Sequence, residues 1–474
     1  MSVVDPHASQ LSRNSTAHVF LSARRIDRLL ASIVAEYIEF CGRIRYFGGV
    51  IAIITLYFII HSIRLQGMIR IYSSEFFEFL QYFPCIAIIG ARQCGKTTLA
   101  KIVGKDWPYF DLEKLADRNL IAKDPDLFFA MNSNHIVIDE SQELPALFPA
   151  LRVAIDADRG TNGRFILTGS SSPELLTSIS ESLAGRIAVI HLSPLGYCEI
   201  HEPTQPLLAK LLSENAPLDR LEAELKPRGT LQDAHQYWLR GGYPEPWLKN
   251  SPRFWQLWMD NYFDTYVTRD VSRHFPRLDL IRYKQLIGSL AQLSGSVINY
   301  SDMARNLDTT QKTIKEYLQI AHGTFLWRNI PAFTPQSLKR LVKHPKGYLR
   351  DSGILHYLLR TTSLDQLLTH PQMGRSWEAM VTEQILRQFD MIGEKVEPSY
   401  WRTCAGAEVD LVLQGRFGLV PIEIKHTQSL RAKELQGLRN FMDEFKSPYG
   451  LVIHNDTRIT RIDKDILGIP FCWM

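Results

Sequence analysis

Four short stretches of the chain, Pro84–Ile89 (PCIAII), Ile136–Ile138, Phe165–Leu167 and Ile187–Leu192, are close to continuously apolar instead of alternating. Strands covered by helices on both faces read this way, which predicts a parallel sheet. From about Leu207 to Leu293 the apolar spacing becomes helical, and Tyr237, Trp238, Trp255, Trp258, Tyr262 and Phe263 form a stripe whose simplest role is core packing. Gly241-Gly242-Tyr243-Pro244 interrupts it with a turn. Two short helices follow, Tyr300–Leu307 capped by Ser301, and Thr310 to about Ile320 capped by Asp308 and Thr309. Their tight joint is that of a helix-turn-helix, with Phe325–Phe333 as its wing strand. Another helix begins near Gly374, and Glu408–Leu413 and Val420–Lys425 read as strands. The predicted class is α/β in five parts: an extension 1–67, a sheet-bearing core 68–205, a helical region 206–295, a winged-helix-like unit 296–345 and a C-terminal α/β domain 346–474.

The extension stands apart in charge. Its seven Arg, no Lys and four acids give +3, out of +4 for the whole chain. Tyr46–Ile63 runs 18 residues without a formal charge, bracketed by Arg43 and Arg45 on one side and Arg64 and Arg70 on the other, just the length a membrane-spanning helix needs. Gly48, Gly49, Thr55, His61 and Ser62 dilute it, and positive charge at both ends sets no topology. Two readings stand: a single-pass inner-membrane tether with everything after it in the cytoplasm, or a start at Met68 and a cytoplasmic protein. A signal peptide is disfavoured, because the run lies far from Met1 and lacks a small-residue cleavage pattern.

The first apolar run feeds Gly90-Ala91-Arg92-Gln93-Cys94-Gly95-Lys96-Thr97, which is G-x-x-x-x-G-K-[ST] in the strand-to-helix setting this motif requires. Such a loop turns its backbone N–H groups toward the β-phosphate of a nucleotide, and the helix after it presents its positive end to the same anion. The expected nucleotide contacts are Gly90, Ala91, Arg92, Gln93, Cys94, Gly95, Lys96, Thr97 and Thr98, with Lys96 on the β/γ oxygens and the Thr97 hydroxyl on Mg²⁺. The second run ends in Asp139-Glu140; Asp139 fixes Mg²⁺ and Glu140 polarises the attacking water. The third ends in Thr168-Gly169-Ser170, where Thr168 or Ser170 is placed to sense the γ-phosphate. Arg186, opening the fourth, is the candidate for transition-state charge stabilisation, in cis or across a subunit interface. No N/T-K-x-D base-reading motif follows a strand, which favours ATP over GTP. The expected cofactors are therefore ATP and Mg²⁺, on a P-loop NTPase core.

The phrases GARQCGKTTL, VIDESQELP, RFILTGSSS, SLAGR, LRGGYPE and YVTRDV, in this order, resemble the prokaryotic AAA-superfamily ATPases that carry a C-terminal domain of unknown function with a nuclease-like core. The resemblance covers about residues 68–450 and implies a RecA-like AAA core and ATP binding. Chains of that family usually begin just before the first strand, which favours Met68. It also implies that Arg240 and Arg269 are nucleotide or interface arginines. Cys94 departs from the small apolar residue common at that loop position, and its side chain is expected to point away from the phosphates.

Two further sets of residues carry candidate chemistry. In the second helix of the helix-turn-helix, Ile314, Tyr317 and Leu318 face inward and leave Gln311, Lys312 and Lys315 for DNA phosphates or base edges, contact with another protein being the equal alternative for such a unit. Lys339, Arg340, Lys343, His344 and Lys346 add a basic patch. In the C-terminal domain, Asp410, Glu423 and Lys425 are spaced to share one sheet face, with Glu383 or Glu378 as an upstream acid. Two carboxylates that hold Mg²⁺ and a lysine that steadies a phosphorane are the parts of a metal-dependent phosphodiesterase. The spacing resembles the PD-(D/E)xK nuclease core; a Lys–Glu pair on an exposed sheet face is the plainer alternative.

Bulk composition adds limits. With 22% charged and 45% hydrophobic residues the chain is ordinary globular protein, and 54 Lys+Arg against 50 Asp+Glu is too balanced to argue for nucleic acid on its own. Six scattered cysteines show no zinc spacing and suit a reducing compartment. Three functions follow: an ATPase coupling its nucleotide state to a macromolecular partner, DNA first among the candidates and homo-oligomerisation compatible with it; an ATP-gated, Mg²⁺-dependent nuclease; or a membrane-tethered interaction ATPase.

Overall fold

The computed structural model describes residues 70–170, 179, 181–201, 205–266, 271–334, 344–403, 406–430 and 432–474. The 46–63 run, Met68, Arg269 and the basic residues 339, 340 and 343 lie outside them. No helix among the described residues is long and apolar enough to cross a membrane.

The apolar runs form a five-stranded sheet from β1 (Cys85–Gly90), β2 (Tyr109–Asp111), β3 (Ile136–Asp139), β4 (Phe165–Ser170) and β5 (Ile187–Leu192), in the order β2-β3-β4-β1-β5. Every pairing is parallel. The central strand β1 is buried along its whole length because both faces are covered. On one face Cys85, Ala87 and Ile89 pack with Ile136, Ile138, Phe165 and Leu167 against the Leu147–Ala157 helix. On the other, Ile86 and Ile88 pack with Val137 and Ile166 against the Ser73–Tyr82 and Lys96–Val103 helices. The period-two alternation thus assigns one helical layer to each set of side chains. Parallel strands also bring Gly90, Asp139 and Ser170 to one carboxyl edge, where open α/β sheets bind ligands.

The helical region holds Leu231–Arg240, Pro252–Thr265 and Leu280–Leu293, and its aromatic stripe is core: the Trp258 and Tyr262 rings stack at 4.9 Å and Tyr262 is 6.3 Å from Tyr266. The helix pair Tyr300–Asn306 and Gln311–Gly323 follows, with Ile314, Tyr317 and Leu318 buried. Its caps differ from expectation. Asn299 accepts the Ser301 and Asp302 N–H groups, and Thr310 accepts that of Thr313, each one or two residues from the residue expected. The wing is a three-stranded antiparallel sheet of β6 (Ser296–Val297), β7 (Trp327–Ile330) and β8 (Lys346–Leu349) in the order β6-β8-β7. The middle strand of this sheet begins at Lys346, so the boundary expected at 345 cuts through the wing.

The C-terminal domain pairs the Met373–Met391 helix with β9 (Glu397–Arg402), β10 (Glu408–Gly415), β11 (Gly418–Ile424), the Gln436–Phe445 helix, β12 (Gly450–His454), β13 (Thr460–Asp463) and β14 (Ile466–Pro470). Its sheet order is β13-β14-β12-β11-β10-β9, with β9, β10 and β11 antiparallel and β12 parallel to β11. Its core is not its own. Trp238 and Tyr237 from the helical region share one buried cluster with Trp377, Phe389, Leu411, Ile422 and Phe471. The Trp238 indole donates to Ser376 Oγ at 3.0 Å, and the Trp238 and Trp377 rings meet edge to face at 5.1 Å.

Candidate nucleotide site and C-terminal acidic cluster

The loop between β1 and the Lys96–Val103 helix closes over its own lysine. Lys96 Nζ donates to Ala91 O at 2.9 Å and Gly90 O at 3.2 Å, and the side chain is buried. Gly95 has φ +102°, a conformation that side chains resist, and a Cβ on Gly90 would lie 2.1 Å from Leu192 O. Gly95 is required by the bend, and Gly90 by the close approach of β5. Cys94 turns away from the loop cavity, its thiol 3.2 Å from Leu192 O on β5. The back of the loop is anchored by Arg70, which donates to Cys94 O and Ser193 O, both at 2.7 Å, and to Glu199 at 2.9 Å. Arg70 precedes every sequence motif and carries no signal that would single it out.

Asp139 ends β3 at the centre of a hydroxyl cage. It accepts from Thr97 Oγ1 at 2.9 Å and, through shorter bonds, from the Tyr109 and Thr168 hydroxyls. Burial pushes the Tyr109 hydroxyl pKa up, and the bond to Asp139 adds to it. Thr168, expected near the γ-phosphate, therefore orients Asp139, and its oxygen also accepts the Glu140 N–H at 3.2 Å. Glu140 sits at φ +54°, ψ +48°, a left-handed conformation that costs a non-glycine residue about 1–3 kcal/mol. It swings the Glu140 carboxylate to Ser170, whose N–H and hydroxyl lie 3.3 and 3.4 Å away, and to Gln142 Nε2 at 2.6 Å. The hydroxyl and carboxylate oxygens of Thr97 and Asp139 meet beside the loop, the hard-oxygen donor set that suits Mg²⁺.

Arg186 lies elsewhere. It precedes Ile187, which pairs with Cys85 at the amino edge of the sheet, while the loop follows Gly90 at the carboxyl edge. Its guanidinium binds Asp156 in a fork at 2.8 and 2.9 Å. Five strand residues separate the two edges, about 17 Å at 3.3 Å per residue, so Arg186 does not reach the site of its own chain. Arg240 is also remote in its contacts, bonding Asn250 at 2.8 Å.

The C-terminal acids converge, but with a different upstream member. Asp410 accepts the Ile424 N–H at 2.9 Å, and Lys425 Nζ is 2.6 Å from Glu423. Glu378 completes the group, while Glu383 one turn further along the helix is drawn away by Arg328 and Arg350. Burial works against a charge on Glu383, yet these two arginines outweigh it and bring its pKa to about 2. Helical phase decides between the acids, and that phase is not visible in a lone E-x₄-E spacing. Lys346, expected in a surface patch, is buried among the same acids: its ammonium lies 2.9 Å from Glu378, 2.5 Å from Glu408 and 3.8 Å from Asp410. Burial raises the Glu378 and Glu423 carboxyls, with Asp410 the next cause for each. Among the described residues no group of three or more His, Cys, Asp or Glu has metal-binding geometry.

On the helix-turn-helix, Gln311, Lys312 and Lys315 are exposed. Gln311 bonds Ser301 at 2.9 Å, Lys312 faces Glu316 at 3.9 Å and Arg305 pairs with Asp302. Two of the surface cations here, Arg305 and Lys312, thus stand beside acids.

Three segments of the chain match known families: residues 82–201 an AAA domain, residues 231–365 a domain of unknown function (DUF8612) and residues 373–472 another (DUF4143). The chain is 33% identical over 351 residues to an uncharacterized protein of Mycobacterium tuberculosis, and equally so to one of Mycobacterium bovis, spanning 73% of this chain and 71% of theirs. Among solved structures it is similar to the Walker-type ATPase of Pyrococcus abyssi, with a TM-score of 0.38 and 14% identity over 61% of this chain and 94% of that one. It is also similar to the RuvB Holliday junction branch migration motor of Thermotoga maritima, with a TM-score of 0.25 and 17% identity over 55% and 89%.

Proposed function

We propose that this chain, which belongs to the family of AAA-domain proteins represented by the two mycobacterial relatives, is an ATPase switch whose middle and C-terminal regions respond to the nucleotide. That the protein is an ATPase follows from its AAA domain. The coupling rests on one observation: Tyr266 and Thr324 of the middle region line the same small cavity as Gly90 and Glu140 of the loop edge. Whatever fills that cavity touches both parts of the chain.

In this reading the Gly90–Thr97 amides surround the β-phosphate, and Lys96 leaves Gly90 O and Ala91 O for the β/γ oxygens. Thr97 and Asp139 hold Mg²⁺, which when bound neutralises charge on the β- and γ-phosphates. Glu140, fixed by Ser170 and Gln142, accepts a proton from the attacking water. Thr168 keeps Asp139 in place. Lys96→Ala is expected to abolish ATP binding, and Glu140→Gln to keep binding and block turnover. Unchanged turnover in both variants would end the reading. Stimulation of turnover by DNA or RNA would identify a nucleic-acid partner; no response points to a protein.

A nuclease-like C-terminal domain is the second reading. A helix, the β9-β10-β11 meander, a second helix and β12 parallel to β11, with Glu378, Asp410, Glu423 and Lys425 drawn together, support that architecture. The Lys346 ammonium amid those acids speaks against a metal-loaded centre. We therefore take the domain as a scaffold that buries the helical region; Mg²⁺-dependent nicking lost in Lys425→Ala would establish cleavage instead.

A further inference from the structure

Among the described residues, the wall that the middle region adds to the cavity beside the nucleotide loop has one charged member, Arg273. Tyr266 is buried and pinned, its hydroxyl 2.6 Å from Thr324 Oγ1 and 3.1 Å from the Tyr283 hydroxyl. Arg273, on the short Ser272–His274 helix, lines the same cavity with Gly90, Glu140 and Ser170. The cavity measures about 40 Å³, room for one to three waters, so a phosphoryl group entering from the loop meets this wall directly. Arg273 is half exposed, and its guanidinium binds the largely buried carboxylate of Glu143. Glu143 belongs to the turn that carries Glu140, and Arg118 approaches the same Glu143 oxygen at 3.6 Å.

Hydrolysis spreads negative charge over the γ-phosphoryl oxygens, and a guanidinium brought to them is worth far more than a surface ion pair. Arg186 is tied to Asp156 at the opposite sheet edge; Arg92 of the loop lines the cavity, and Arg273 is the arginine that the middle region brings to it. We propose that Arg273 is the catalytic arginine of this ATPase, supplied in cis, and that Glu143 is the anion that holds it when no γ-phosphate is present. This assignment rests on the ATPase reading and deepens it. Glu143 already occupies the guanidinium, so γ-phosphate binding exchanges one acceptor for another, and Glu143 keeps Arg118 at 3.6 Å. The exchange also gives the middle region a contact that exists with ATP and not with ADP.

The test uses the full chain with Mg²⁺ and fluorescent ADP and ATP analogues, comparing wild type with Arg273→Ala, Arg273→Lys and Lys96→Ala. Arg273→Ala is expected to keep ADP affinity within about twofold and to lower kcat by about 100-fold or more, the range of a lost transition-state donor. It is also expected to lose retention of ADP with aluminium fluoride. Arg273→Lys, which preserves charge and bulk, is expected to recover part of the rate, and it carries the test should the alanine variant fail to fold. A kcat within twofold of wild type in Arg273→Ala, or in Arg273→Lys should the alanine variant fail to fold, would reduce Arg273 to an ion pair of Glu143 and overturn the assignment. Absent turnover in wild type, or full turnover in Lys96→Ala, would instead overturn the ATPase reading and this assignment with it.

Discussion

Lys346 Nζ lies 2.9 Å from Glu378 Oε1, and this pair joins the wing strand β8 to the first helix of the C-terminal domain. Burial opposes the Lys346 charge, but Glu378, Asp410 and Glu408 more than offset it and raise its pKa. The Tyr348 hydroxyl, two residues along β8 on the same face, donates to the same Glu378 oxygen at 2.6 Å. Two of the acids that a sequence motif assigns to metal chemistry, Glu378 and Asp410, thus share an ammonium supplied by a neighbouring element of the same chain.

Lys346→Met would leave those buried carboxylates without their cation. Breaking a buried pair by removing one partner costs about 3–5 kcal/mol. The loss has a pH sign: Glu378 already has a folded pKa above its unfolded value, so the folded state releases its proton later than the unfolded one and stability falls as pH rises. Without Lys346 this pKa climbs further. Denaturant titrations are expected to show a larger loss at pH 8 than at pH 6, and an equal or smaller loss at pH 8 would contradict the role given to Lys346.

Glu383→Gln separates structure from catalysis at the other candidate acid. It leaves Arg328 and Arg350 without a carboxylate that is 3.4 Å from Arg350 and bound twice by Arg328. A destabilisation of about 3–5 kcal/mol is expected. Because the folded pKa is about 2, this contribution is intact at neutral pH and fades only as pH falls from the ordinary glutamate range toward 2. ATP turnover per folded molecule should stay at the wild-type level. A variant of wild-type stability would refute the structural role.

The difference between these two glutamates shows what the sequence carries and what it does not. Parallel strands, the phosphate loop and the paired acids of β3 were legible because each is written locally, in a run of buried residues followed by glycines or carboxylates. The turn at Gly241-Gly242 was legible as a turn but not in its purpose. A Cβ on Gly241 would lie 2.1 Å from Asp351 Oδ1, and the Gly242 N–H donates to Asp351 at 2.8 Å, a contact 109 residues away. The cis role expected of Arg186 fails because a strand-start arginine is read without knowing which sheet edge it occupies. Lys346 misled because an isolated basic residue near others reads as surface. Arg70 bonds the loop, and Tyr266 and Arg273 line the cavity beside it, across chain separations that no local pattern records.

A pH dependence of the opposite kind to that of Glu383 is expected from Glu75. This residue of the Ser73–Tyr82 helix is buried, and burial, then Asp390 and Glu78, lift its pKa to about 8. One of its oxygens has no hydrogen-bond partner among the described residues. The folded state keeps the Glu75 proton between the unfolded value near 4.5 and about 8, so its stability is full below that window and declines across it. One proton changes stability by at most about 1.4 kcal/mol per pH unit. Melting measured from pH 5.5 to 8.5 should fall more steeply in wild type than in Glu75→Gln, and parallel curves would reject the assignment.

Arg70→Met tests whether the nucleotide loop is held from behind. Arg70 bonds Cys94 O in the loop, Ser193 O after β5 and the Glu199 carboxylate, which also accepts the Ile71 N–H at 3.0 Å and the Gly196 N–H at 2.8 Å. Removing the guanidinium therefore frees a loop carbonyl and strands a buried carboxylate at once. A loop displaced by about 1 Å can cost up to about 100-fold in rate, so ATP affinity and kcat are both expected to fall even though Arg70 touches no phosphate. Glu199→Gln, which spares the Cys94 O contact, should lose stability but retain more of the turnover. The loop is not braced by Arg70 if Arg70→Met binds and hydrolyses ATP like wild type, or if Glu199→Gln impairs turnover as severely.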